Sequence, residues 1–126
     1  MKYFGGKKAK EAAKFFTRIG VKTAIFEKSE TTELAKILDT TYYGWNVVFV
    51  KEVKRLCDFL NLDFEEVYTA PNKDYNEGYK KLGKSNVVRP VLKPVQGKIG
   101  GHCLIPNCDL LNDWLTKTIK RRNEKY

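Results

Sequence analysis

A chain of 126 residues with 42% apolar side chains has material for one hydrophobic core, which excludes a disordered segment and an assembly of several large domains. The formal charge of +9 is high for this length and excludes an acidic tail or buffer. No apolar run nears the ~20 residues needed to span a bilayer, and no signal-like segment follows Met1, so the expectation is a soluble, cytoplasmic protein without membrane contact.

Residues 2–4 read as a strand end and Gly5-Gly6 as a turn. Residues 8–19 place Ala9, Ala12, Ala13, Phe15, Phe16 and Ile19 along one side of a helix that stops at Gly20. Residues 21–26 then form a short β segment. Ser29, with Glu30 and Glu33 behind it, provides a helix start whose acids suit the helix dipole.

From there Leu34, Ile37, Leu38, Thr41, Trp45, Val48, Phe49, Val53, Leu56 and Leu60 recur every three or four residues without a proline, to Asn61. A helix of that length runs roughly 45 Å, longer than so small a domain can cover alone. Tyr42, Tyr43, Val47 and Val50 widen the apolar stripe, so a second copy packing along residues 30–61 is expected. Gly44, in the middle, costs about 1 kcal/mol relative to Ala unless a close contact uses the missing side chain. Asp63 caps a short second helix through Tyr68, ending before Pro71. Residues 72–96 read as polar loop with a β-prone run at 86–88, and residues 107–122 as one final helix that buries Leu110, Leu111, Trp114, Leu115 and Ile119.

Chemistry concentrates in Gly97-Lys98-Ile99-Gly100-Gly101-His102-Cys103, a glycine-rich turn that delivers a thiol just before Pro106 and the final helix. Glycines let backbone fold tightly around a ligand, and a thiol beside a helix start can become a reactive thiolate; a small buried thiol in a loop is the alternative. Cys57, Cys103 and Cys108 make an odd count without framework spacing, which fits reduced thiols. His102, Cys103 and Cys108 lack a C-x-x-C pair, so no metal is expected. Glu65-Glu66 reads as a solvated helix face rather than a carboxylate pair.

Two anchor motifs carry a family resemblance. Glu33-Leu34-Ala35-Lys36 through Thr40-Thr41-Tyr42 is followed, some sixty residues on, by Gly100-Gly101-His102-Cys103. This pattern resembles the central domain of the UDP-glucose/GDP-mannose dehydrogenases, with its E-x-A-K-x-x-x-N-T-Y-x-A helix and later G-G-x-C. The resemblance implies a mainly α fold, a helical dimerisation domain like the C-terminal domain of 6-phosphogluconate dehydrogenase, with a long central helix and a small N-terminal β element. It divides the chain into residues 1–28, similar to the last strand–helix–strand of a nucleotide-binding domain, and 29–126, the central domain with an active-site loop at 97–107. It implies homodimerisation through 30–61, a UDP-sugar as ligand, Cys103 as nucleophile, Lys36 near the reacting oxygen, Thr40 and Asn107 around them, and Gly100 and Gly101 as the substrate loop. For Lys36 an exposed helix lysine is the competing reading.

Several positions depart from the family pattern. Thr40 stands in place of Asn, Asn107 in place of an Asp base, and Tyr43 and Lys51 where an Arg and an Asn are usual; Asp109 lies two residues beyond the missing carboxylate. No G-x-G-x-x-G follows a strand, so these residues are expected to bind no cofactor alone, with NAD implied only if a separate nucleotide-binding subunit completes the enzyme. Neither the nucleotide-binding domain nor the UDP-binding domain that flank the family's central domain is recognisable here. The expectation is a stand-alone central domain, not a complete dehydrogenase. The alternative is a basic nucleic-acid-binding or scaffold dimer that has lost the chemistry, drawing on Lys2, Lys7, Lys8, Lys10 and Lys14 and on Lys117, Lys120, Arg121, Arg122 and Lys125. Solvated helix faces explain the same charges, and the aromatics do not interleave with them, which counts against nucleic acid.

Overall fold

A computed structural model describes residues 1–126. Strand β1 (Lys2–Gly5) and strand β2 (Thr23–Phe26) pair in parallel, Lys2 opposite Thr23 and Gly5 opposite Phe26. Helix α1 (Ala9–Arg18) connects them and buries Ala9 and Ala13. Phe16 meets Phe4 with ring centroids 5.3 Å apart. Phe15 and Ile19, expected on the covered side, are instead 61% and 63% exposed. A two-stranded sheet can cover only a narrow strip of a helix.

Helix α2 (Ser29–Leu60) has 32 residues and so spans about 48 Å. It ends where Asn61 turns left-handed at φ 53°. Ser29 is the first helical residue and does not cap; its hydroxyl donates to the Glu30 carboxylate. Two opposed sides of α2 are covered. On one, Val48 packs with Leu104, Cys108 and Ile119. On the other, Val50 and Cys57 pack with Phe64 and Tyr68. At about 100° per residue, Leu38, Tyr42, Phe49, Leu56 and Leu60 share a stripe between those sides. All five remain exposed.

Gly44 marks the closest approach. A Cβ there would lie 3.1 Å from Leu104 Cδ1 and 3.2 Å from Ile119 Cδ1, so two apolar side chains use the space a side chain would fill.

Beyond α2 the sequence expectations need further correction. Pro71 does not end a helix: a π turn (Glu65–Thr69) leads directly into helix α3 (Ala70–Lys81), with Pro71 in the first turn of α3. The wider turn avoids the clash that a proline ring makes with the preceding α turn, and the Asn72 amide donates to the Tyr68 carbonyl at 2.7 Å. Residues 72–81, expected as loop, are therefore helical. The β-prone run at 86–88 forms instead a 3₁₀ turn (Ser85–Val87).

The final helix is two. Helix α4 (Leu104–Leu111) stops at Asn112, left-handed at φ 49°, and helix α5 (Trp114–Asn123) starts on Asp113. Asp113 accepts from Leu115 N at 3.1 Å and Thr116 Oγ1 accepts from Asp113 N at 3.2 Å, a reciprocal cap that satisfies the free amides of the new helix. The break turns Leu110 and Trp114 outward, 71% and 66% exposed, while Ile119 is fully buried. No helix is long and apolar enough to cross a membrane.

Candidate active site around Cys103

Packing of α4 onto α2 across Gly44 brings together residues far apart in the chain. Asn107 Nδ2 donates to Thr40 Oγ1 at 3.1 Å, across 67 positions of sequence. Thr40 Oγ1 in turn donates to the Ile37 carbonyl at 2.8 Å. A threonine hydroxyl has one proton, and here the helix backbone takes it. Thr40 therefore cannot serve as an oxyanion donor while this bond holds, whereas Asn107 keeps a second N–H without a partner in the fold.

Cys103 is the residue immediately before α4 and is exposed. It lies on the wall of a cavity of about 560 Å³ with Gly100, Gly101, His102, Thr40, Tyr42 and Tyr43. Gly97 and Gly101 have φ of 72° and 96°, a region in which residues with side chains are strained, and the loop turns at both. The structure thus places Cys103, Thr40, Gly100 and Gly101 around one space, with Asn107 hydrogen-bonded to its edge.

Lys36 is separated from them. Its ammonium lies 3.7 Å from Asp39, its side chain is 69% exposed, and it lines a second cavity with Lys2, Tyr3, Phe26, Thr31 and Thr32. Asp39 borders both cavities. Asp109, the alternative carboxylate near Cys103 in sequence, is bonded to Lys120 on α5 and does not reach the cavity. Asp39 is the one carboxylate on the wall around Cys103; its place one residue before Thr40 was the available signal.

The other thiols are enclosed. Cys57 and Cys108 are 3% and 2% exposed, and burial, reinforced by the neighbouring Asp109 charge, pushes the Cys108 thiol up. No cluster of three or more His, Cys, Asp or Glu side chains is arranged to hold a metal ion.

Residues 30–118 match the UDP-glucose/GDP-mannose dehydrogenase family, central domain. The chain belongs to this family. No curated protein and no solved structure matches the chain significantly. The family's dinucleotide calls for a strand–turn–helix where a pyrophosphate can approach backbone closely, and the one at Gly5-Gly6 does not fit. A Cβ on Gly5 would lie 2.4 Å from the Lys28 carbonyl oxygen, and the Gly6 face is covered by Ser29. The glycines here admit the chain itself rather than a phosphate.

With one exposed thiol and two buried ones, a small alkylating reagent at neutral pH is expected to modify a single cysteine. Peptide mapping should find Cys103 labelled at least about ten times faster than Cys57 or Cys108, and Cys103→Ser should abolish the fast phase. Equal rates at the three would contradict the assignment.

Proposed function

We propose that this chain supplies the thiol-bearing, dimerising portion of a nucleotide-sugar dehydrogenase, with a UDP-sugar as ligand of the Cys103 cavity. The observation that carries the reading is the Thr40–Asn107 hydrogen bond, which joins the family's two separated motifs beside the cavity that Cys103 lines. The chemistry available to these residues is addition of the Cys103 thiol to a sugar aldehyde. A C–S bond forms, the carbonyl π bond opens onto oxygen, and the thiol proton ends on that oxygen, with the free N–H of Asn107 as donor to the developing oxyanion. Nothing is oxidised in this step. Asn107 cannot accept a proton as a carboxylate would, so water activation falls to Asp39 or is lost.

Hydride transfer requires NAD, which residues 1–126 do not fit, and we assign it to a separate nucleotide-binding polypeptide or segment. The β1–α1–β2 unit is its natural contact, because Tyr3, Phe15, Ile19 and Ile25 remain exposed around a sheet of only two strands.

A second copy covers the exposed stripe of α2. Val48 sits in the monomer core at 3% exposure and Trp45 packs partly against the same core, so arginine at either would unfold the protomer rather than split a dimer. Phe49, 58% exposed, is the informative position. Light scattering at tens of micromolar is expected to give a dimer for the natural chain and a folded monomer for Phe49→Arg; a monomeric natural chain would remove the proposed assembly.

Occupancy of the cavity by UDP-glucose should slow alkylation of Cys103 by about tenfold when the nucleotide is near ten times its Kd. Glucose 1-phosphate should protect less. An unchanged rate at millimolar UDP-glucose would overturn the ligand assignment.

A further inference from the structure

The loop that ends in Cys103 is held from behind by two side chains, Asn123 and the Lys51 that departs from the family pattern. Asn123, near the end of α5 and 7% exposed, uses its whole amide on one residue: Ile99 N donates to its Oδ1 at 2.5 Å, and its Nδ2 donates to the Ile99 carbonyl at 3.1 Å. Lys51, in the middle of α2 and 4% exposed, donates from Nζ to the Gly97 carbonyl. Its ammonium also lies 4.4 Å from the centroid of the Tyr126 ring. Tyr126 is fixed in turn by its hydroxyl, which donates to Glu52 Oε1 at 2.9 Å, and Glu52 faces Arg55 at 2.9 Å and Arg122 at 3.5 Å.

This is costly construction for a loop. An ammonium inside a protein is favourable only with close polar partners, and burial lowers the pKa of Lys51. Its partners are one carbonyl and one ring face, with no carboxylate among its hydrogen bonds or ion pairs. As a device for stability alone, a buried lysine of this kind is poor: an apolar side chain of similar length would fill the space without the desolvation. The geometry does one other thing. With Gly97 and Ile99 fastened, only residues 100–103 are free before α4 begins, in a segment where three glycines would otherwise leave the backbone many conformations.

We propose that Lys51 and Asn123 are positioning residues that fix the Cys103 loop against α2 and α5, so that the thiol is presented at the cavity beside Thr40 and Asn107. The inference rests on reading the Cys103 loop as the functional site. Its test needs no nucleotide.

Amide hydrogen exchange of Ile99, the loop N–H that Asn123 accepts, is compared in the full chain among the natural protein, Lys51→Met, Lys51→Arg and Asn123→Leu, together with each variant's urea midpoint. Lys51→Met is expected to keep or raise the midpoint, because it removes a buried charge, yet to speed loop exchange at least about tenfold. Lys51→Arg, which can still donate to the Gly97 carbonyl and stack on Tyr126, should restore slow exchange. Asn123→Leu should release Ile99 in the same way; if it unfolds, the Lys51 pair decides. A natural exchange rate at Ile99 in folded Lys51→Met would overturn the proposal, as would loosening that Lys51→Arg fails to reverse. Failure of UDP-glucose to protect Cys103 in the natural chain would sink the ligand reading and leave the exchange result standing.

Discussion

The close approach of α4 and α5 to α2 at Gly44 is the contact on which the rest of the arrangement depends. Glycine within a helix costs about 1 kcal/mol relative to alanine. Full burial of a leucine or isoleucine contributes about 1.5–3 kcal/mol, and Leu104 and Ile119 both pack over this position, so the exchange favours the glycine. Their seating sets the height of α4 on α2. That height brings Asn107 to Thr40, puts Cys103 at the cavity wall, and leaves α5 where Asn123 can hold Ile99. A side chain at 44 would press on Leu104 and Ile119 and push against the seating on which these contacts depend.

Charge is used differently in the two lysines of α2. Lys36 is solvated, pairs with Asp39 at the surface and faces the cavity next to the N-terminal sheet. Lys51 is buried and serves the loop from behind. A surface ion pair such as the first is worth little and leaves its lysine free to move, whereas the second is committed to one carbonyl. Tyr126 extends the same division: burial and the Glu52 carboxylate push its phenol up to about 12, so it stays a donor to Glu52 throughout the neutral range.

The long helix, the two short strands and the family itself were legible because each rests on local pattern: unbroken apolar recurrence from Leu34 to Leu60, turn glycines, and two short motifs. What was not legible depended on contacts between distant residues. Pro71 reads as a stop, and only the π turn ahead of it explains why the helix continues. Asn112-Asp113 with Thr116 was a capping signal inside an apolar-periodic segment, and the periodicity outweighed it. At the site, the G-G-x-C loop and the α2 motif indicated Cys103, Thr40 and Asn107, but Lys36 faces another cavity. Asp39, Lys51 and Asn123 enter through tertiary packing, which spacing along the chain does not encode.

The central claim is that the two family motifs still form one ligand site. Titration of the ¹⁵N-labelled chain with UDP-glucose tests it most directly, because amide shifts report place as well as affinity. Saturable shifts at Thr40, Gly100, Gly101 and Cys103 with a common Kd are expected. Shifts confined to the basic segments at Lys7–Lys14 and Lys117–Lys125, weakening with salt, would mean that the diphosphate binds as a generic anion and would contradict it.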